Sequence, residues 1–281
     1  MEKKIDEESY WAMTESVFYC LFDQKRTNAF RLAIKNTVKK GDIVVDMGTG
    51  SGVLAMFAVE AGAERVYAIE LDKNNIQMLH KTIEINGYKD KIIILEGDVT
   101  KIKLPEKVDV IVGEMIATGL IEELQVPAMN NILKYTKKNV KVVLKEYETS
   151  VDLVYNKDYL YGHKFKMVRY EIPGIAGSKS KSFSDKIAYS KINFSAPTKD
   201  KKINKQIKFV VRGDGIINGI RIIGKTFFWD GSSFDYSVSY SFPIILPIDD
   251  IKVKDGDKFD VNISYTLCGG FKTLKYNIKK R

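Results

Sequence analysis

The chain has 281 residues, 44% of them hydrophobic, and a formal net charge of +9. That length suits one large domain or two of ordinary size with substantial cores, and no run of about eighteen apolar residues is available to cross a membrane. Two cysteines far apart, Cys20 and Cys268, and two histidines, His80 and His163, argue against a disulfide framework and a histidine-based metal centre, so no metal is expected.

The N-terminal stretch MEKKIDEESY is charged and lacks the apolar centre of a signal peptide. With thiols that read as reduced, this gives a cytoplasmic expectation. Charge is uneven along the chain. Residues 1–147 carry 21 Lys+Arg against 22 Asp+Glu, and residues 148–281 carry 24 against 14. The second half is therefore basic, which fits either a solvated lysine surface or an anionic partner such as RNA.

In chain order, residues 9–22 mix aromatic and apolar residues at near-helical spacing. Residues 23–39 read as a helix with Ala29, Phe30, Ala33, Ile34 and Val38 inward. An apolar strand follows at 43–45, then the turn Asp46-x-Gly48-x-Gly50-x-Gly52, a helix at 53–61 stopped by Gly62, and a second strand at 66–69 ending on Glu70. Glycine permits a sharp turn and lets a ligand approach the backbone. An acid at the tip of the second strand can accept both hydroxyls of a ribose. The dinucleotide fingerprint wants a third glycine where Val53 stands, so this turn is a different cradle.

An acid followed by three glycines at alternate positions resembles the first motif of the class I S-adenosylmethionine-dependent methyltransferases. The resemblance implies S-adenosylmethionine as cofactor, bound by Asp46, Gly48, Gly50 and Gly52 below and by Glu70 and Leu71 at its sugar. The front segment would then lid the cofactor, with Arg26 paired to its carboxylate in bidentate fashion.

Residues 73–85 are amphipathic and end at the helix stop Asn86-Gly87. A third strand at 92–95 leads to Glu96-Gly97-Asp98-Val99, where an acid can accept from the adenine amino group. Asp98 and Val99 complete the expected cofactor set. A fourth strand at 108–112 ends at Gly113-Glu114. A helix is expected around 119–124, Pro127 either breaks it or starts a second one running to about 135, and a fifth strand covers 140–144. The alternation predicts a doubly wound parallel sheet with ligands at the strand C-terminal ends.

Past residue 145 the pattern changes to β-rich runs at 148–154, 187–194, 207–212, 216–223, 236–242, 259–266 and 271–278. The fold class is thus α/β followed by β: a Rossmann-like domain over 1–147 and an all-β barrel or sandwich over 148–281. Residues 155–185 read as an exposed loop or arm.

Glu114 ends the fourth strand at the cofactor edge, and Glu123 lies nine positions later. Two carboxylates there can clamp a guanidinium, which is planar, carries five donors and keeps its charge. Glu122 is the alternative inward residue.

These residues resemble the protein arginine methyltransferases. Asp23-Gln24-Lys25-Arg26-Thr27 is similar to that family's D-x-x-R-T segment, and Gly113-Glu114-Met115 through Glu123 to its double-Glu loop. IKFVVRGDGIINGI and FPIILPIDDIKVKDGD are similar to strands of its barrel. The resemblance implies N-methylation of a guanidinium or other nitrogen with Glu114 and Glu123 as catalytic residues, a protein substrate, and an arm that often dimerises, hence a homodimer. RNA methylation through the basic β half, and a cofactor-binding partner without turnover, are the competing readings. The chain departs from the family in three places. Val238-Ser239-Tyr240 stands where the family has Thr-His-Trp, the aromatic N-terminal helix is echoed only by Tyr10-Trp11, and Gly113 replaces a serine.

Overall fold

The structure is a computed structural model and describes residues 14–281. Tyr10-Trp11 and the first part of the helix expected at 9–22 lie outside the described residues.

The first half is a three-layer α/β unit. Helices α1 (Thr14–Phe22) and α2 (Gln24–Thr37) precede strand β1 (Ile43–Met47). Then come α3 (Val53–Glu60), β2 (Arg65–Glu70), α4 (Lys73–Ile85), β3 (Ile92–Glu96), β4 (Val108–Gly113), α5 (Gln125–Ile132) and β5 (Thr136–Val142). The strands form one parallel sheet in the order β3-β2-β1-β4-β5. β1 is buried along its whole length, as expected of a central parallel strand covered by helices on both faces. Asp23 caps α2 by accepting the Arg26 backbone N–H at 3.1 Å.

The second half is antiparallel. β6 (Leu144–Tyr155) leads into the short strands β7 (Tyr159–Leu160), β8 (His163–Lys164), β9 (Arg169–Tyr170) and β10 (Lys181–Ser182). β11 (Ile187–Asn193), β12 (Lys202–Val210), β13 (Gly215–Phe228), β14 (Ser233–Phe234), β15 (Ile244–Val253), β16 (Lys258–Thr266) and β17 (Lys275–Lys280) follow. One sheet runs β10-β6-β13-β15-β9, with β11 on β6 and β14 on β13; a second runs β12-β16-β17. β6 is 12 residues long and spans the expected domain boundary at 147/148. A contiguous buried cluster joins the two halves, from Val112 and Ile121 to Tyr147 and Ile222. Among the described residues no helix is long and apolar enough to cross a membrane.

Three local expectations change. Residues 119–124 do not form a helix. Thr118–Leu120 is a single 3-10 turn broken by Gly119 at φ 71, with Leu120 also left-handed at φ 54. The fifth strand starts at Thr136 rather than 140. It is an edge strand with Lys137 and Lys138 facing solvent, so its first residues lack an apolar signature. Residues 236–242 make a turn closed by a Ser237–Tyr240 bridge instead of a strand.

Gly113 lets β4 end against β1. Its φ is +131, and a Cβ there would stand 2.7 Å from the Met47 carbonyl oxygen and 2.8 Å from the Met47 nitrogen. Gly113→Ala is therefore expected to cost about 1–3 kcal/mol, read as a lower urea midpoint at unchanged slope.

Candidate active site

The C-terminal ends of β1, β2 and β4 bring the sequence-predicted residues together. Gly48, Gly50 and Gly52 all have positive φ, and the space beside them is already used. A Cβ on Gly48 would reach Met115 at 3.3 Å, one on Gly50 would reach Val17 at 3.0 Å, and one on Gly52 would reach Leu79 at 2.7 Å. The turn is thus packed on one side by α1, α4 and the segment after β4, and only a residue without a side chain can make it.

Asp46 is fully buried. Its Oδ2 accepts the Thr49 hydroxyl at 2.7 Å, while Oδ1 has no hydrogen-bond partner among the described residues. Burial pushes its pKa up to about 7, with the Thr49 bond opposing and the charge of Glu70 adding.

Glu70 is turned onto its own loop. Oε2 accepts the Gly50 N–H at 2.9 Å and the Asn75 amide at 3.2 Å; Oε1 accepts the N–H groups of Leu71 at 2.8 Å and Asp72 at 3.0 Å. A carboxylate offers about four lone-pair sites, so these donors fill it. Asn75 also donates to the Gly50 carbonyl at 2.7 Å, which closes the loop. Leu71 is 45% exposed at the rim. Asp98 is bound to Thr100 through backbone and hydroxyl and pairs with Lys101 at 2.9 Å. Partial burial opposes its charge, but these bonds prevail and its pKa falls below the ordinary carboxylate value. Val99 is buried, and its carbonyl accepts the Asn131 amide at 2.9 Å.

Arg26 enters the site from α2. Its Nε and Nη2 both donate to Oε2 of Glu114, with Nε at 3.0 Å. Both side chains are nearly buried, at 8% and 9% exposure. Burial works against the guanidinium charge, but the Glu114 carboxylate outweighs it and the pKa rises above its usual value. Oε1 of Glu114 accepts the Ile116 N–H at 2.9 Å. Arg26 thus meets Glu114, where its sequence suggested a ligand carboxylate as partner.

Glu123 stands close enough to this pair to sense both charges, and among the described residues it has no counter-ion of its own. Burial first, then the Glu114 charge, push its pKa up to about 8, with Arg26 opposing. Glu122 is raised by burial alone. Between the two, Glu123 is the one that senses Glu114 and Arg26.

Four residues of the site were missed in the sequence. Asp23 was seen only as part of a motif, yet its Oδ2 accepts the Ser237 hydroxyl at 2.5 Å, the Ser239 N–H at 3.0 Å and the Ser239 hydroxyl at 2.9 Å. The region lacking a histidine therefore still grips the front segment, through serines. Asn75 locks the glycine turn, as described. Gln125, fully buried, accepts the Met115 N–H at 3.0 Å behind the acid loop. Cys20 is half-buried near Arg26, Glu114 and Glu123, and its thiol pKa is raised by burial. A polar residue at a helix start flags Asp23 in the sequence; nothing local flags Cys20 or Gln125.

Comparison with known proteins follows from this geometry. A family model described as Ribosomal protein L11 methyltransferase (PrmA) matches residues 26–161. Uncharacterized protein MJ1452 of Methanocaldococcus jannaschii is 30% identical over 260 residues, covering 92% of this chain and 94% of that protein. Histone-arginine methyltransferase CARMER of Drosophila persimilis is 37% identical over 153 residues, covering 53% of this chain but only 28% of CARMER. In fold, the chain is similar to the Trypanosoma brucei PRMT1 enzyme-prozyme heterotetrameric complex with AdoHcy, with TM-score 0.75 and 17% identity over 92% of this chain and 95% of that one. Protein arginine methyltransferase 10 of Arabidopsis thaliana gives TM-score 0.75 and 16% identity with the same coverage.

The Glu123 carboxyl is expected to titrate near pH 8 by carbon-detected NMR, and Glu114→Gln to lower that midpoint by removing the neighbouring charge and leaving Arg26 unopposed. The folded pKa lies above the unfolded value of 4.5, so the folded state holds the extra proton. This group's contribution to stability consequently weakens as pH rises from about 4.5 to about 8 and is constant above.

Proposed function

We propose a function from one premise: the chain belongs to the class I S-adenosylmethionine-dependent methyltransferases and is related to the protein arginine methyltransferases. It is a methyltransferase with S-adenosylmethionine as cofactor. The acceptor we infer is a guanidinium or another nitrogen of a protein, held between Glu114 and Glu123. One observation carries this reading. Two carboxylates share a partly buried site with Arg26, which pairs with Glu114, while burial and the Glu114 charge push the pKa of Glu123 up to about 8.

The residues suit the cofactor. Asp46 keeps a buried, unpartnered acceptor oxygen in the floor, and the glycine turn leaves its backbone bare. Gly48, Gly50 and Gly52 would lie against the ligand, with Leu71 at the rim and Asp98 and Val99 toward the base. Glu70 would release one of its own donors to accept a ribose hydroxyl, and Arg26 would turn part of its fork to the amino-acid carboxylate. When bound, S-adenosylmethionine supplies an electrophilic methyl group and leaves as a neutral thioether.

The chain's own part is positioning and charge. Glu123 gives up its proton as the cation enters. Glu114, fixed by Arg26 and by its own bond to Ile116, accepts one edge of the guanidinium, and Glu123 accepts the other. The two carboxylates draw positive charge away from the attacking nitrogen. As the new N–C bond would form and the S–C bond break, that nitrogen would lose a proton, and Glu123, ionised by then and in contact with the acceptor, is the group placed to accept it.

We divide the chain into a cofactor unit up to about residue 147 and a β unit after it, which we read as a barrel. The segment after β6 leaves Tyr159 59%, Tyr161 94%, Met167 58% and Ile175 56% exposed. We read it as an arm that docks on a second copy. Free thiols at Cys20 and Cys268 support a cytoplasmic setting. A second reading, RNA as acceptor, is favoured by the outer face of the β12-β16-β17 sheet. Lys202, Lys208, Lys258, Lys275 and Lys279 share that face, with Lys208 and Lys279 on either side of Asp260.

Incubation with labelled methyl donor and protease- or nuclease-treated extract separates the acceptors. Label is expected in a protease-sensitive fraction, and Glu114→Gln and Glu123→Gln are each expected to lower turnover by about a hundredfold or more while donor binding by calorimetry persists. Full turnover in both variants sinks the clamp; label in a nuclease-sensitive fraction favours RNA. Sedimentation is expected to give a dimer that Tyr161→Asp with Met167→Asp dissociates, since two buried charges oppose an apolar contact.

A further inference from the structure

The two acids are joined by a turn whose backbone the β half holds from behind. Gly119 and Leu120 are consecutive left-handed residues, an arrangement that a free loop would not keep. Both polar groups of Gly119 end on tyrosine hydroxyls. Its N–H donates to Tyr147 of β6 at 3.3 Å, and its carbonyl accepts from Tyr265 of β16 at 2.8 Å. The neighbouring carbonyls of Leu120 and Ile121 accept the N–H groups of Cys268 at 2.7 Å and Gly270 at 2.8 Å. On the other flank the Thr118 hydroxyl donates to the Phe242 carbonyl at 2.5 Å.

The tyrosines are themselves built in. Tyr147 is fully buried and Tyr265 is 3% exposed. Tyr147 also meets the Ser241 hydroxyl at 2.7 Å, and Tyr265 meets the Tyr189 hydroxyl at 3.2 Å. Gly224 leaves room for the Tyr147 hydroxyl, since a Cβ there would sit 1.7 Å from it. Any buried peptide needs partners. Here the partners come from two strands of two different sheets, and they act on the two peptide groups that flank Gly119, midway between Glu114 and Glu123.

We propose that Tyr265 and Tyr147 are positioning residues for the acceptor clamp: by gripping the peptide groups on either side of Gly119 they fix how far apart, and how deeply buried, the two carboxylates stand. This rests on reading Glu114 and Glu123 as the clamp. Tyr265→Phe removes one oxygen and leaves the Gly119 carbonyl without that donor, so the turn loosens and Glu123 gains water. Its titration midpoint is expected to fall from about 8 toward 4.5. Turnover is expected to fall about ten- to a hundredfold with donor affinity unchanged, because small misplacements of reacting groups carry penalties of that size. Tyr189→Phe, whose hydroxyl reaches Tyr265 but not the turn, is expected to leave the Glu123 midpoint in place. Tyr147→Phe provides the second variant should Tyr265→Phe not fold. A lowered midpoint together with lowered turnover upholds the inference; full turnover in Glu123→Gln removes the clamp reading, and the inference with it, whatever the midpoint does. An unchanged midpoint in either folded variant overturns it.

Discussion

The ion pair between Arg26 and Glu114 sets the electrostatics of everything around it. It ties the second helix to the tip of the fourth strand, 88 residues later. Taking two charges out of water rarely stabilises a fold on balance, but removing one partner leaves the other stranded, at a cost of about 3–5 kcal/mol. The pair is therefore weak evidence for stability and stronger evidence for placement. It also leaves the next acid unbalanced. With Arg26 committed to Glu114, Glu123 pairs with no cation among the described residues, and burial with the Glu114 charge pushes its pKa up to about 8.

This arrangement requires both halves of the chain. Arg26 depends on the start of α2, where Asp23 is anchored by Ser237 and Ser239 of the β half. Glu114 depends on Gly113 resting against Met47. Glu123 depends on a left-handed turn backed by Tyr147, Tyr265, Cys268 and Gly270. The α/β unit supplies the cofactor floor, and the β half supplies the wall that holds the acids in register. A contiguous core across the two makes that wall rigid.

Most of the fold was legible because its signals are local. Buried parallel strands show as short apolar runs, and Asp46 with Gly48, Gly50 and Gly52 marks a turn that few other residues could make. The pair Asn86-Gly87 stopped α4 where expected. The misreadings share a cause. Lys137 and Lys138 hid the start of an edge strand, because an edge strand needs no apolar face. Residues 119–124 have helical composition, yet hydrogen bonds from distant strands hold Gly119 and Leu120 left-handed. The pairing of Arg26 with Glu114, the closure of Glu70 on Gly50 and the grip of the serines on Asp23 are all contacts between remote segments. Composition and spacing carry no trace of them.

Sheet geometry keeps the basic residues of the second half apart from the two acids. Along β16, Phe259, Val261, Ile263 and Tyr265 are buried, and Tyr265 reaches the acid loop from that side. The alternate residues Lys258 and Asp260 face outward, in register with Lys208 of β12 and Lys279 of β17. Side chains on a strand alternate in direction, so these lysines point away from the loop that carries Glu114 and Glu123, with the sheet between. At physiological ionic strength exposed charges are screened over about 8 Å. The lysine face and the carboxylate pair are consequently separate electrostatically. Around Glu114 and Glu123 the local field is set by those two acids and Arg26 in a partly desolvated site, where a nearby charge counts for far more than several distant exposed ones.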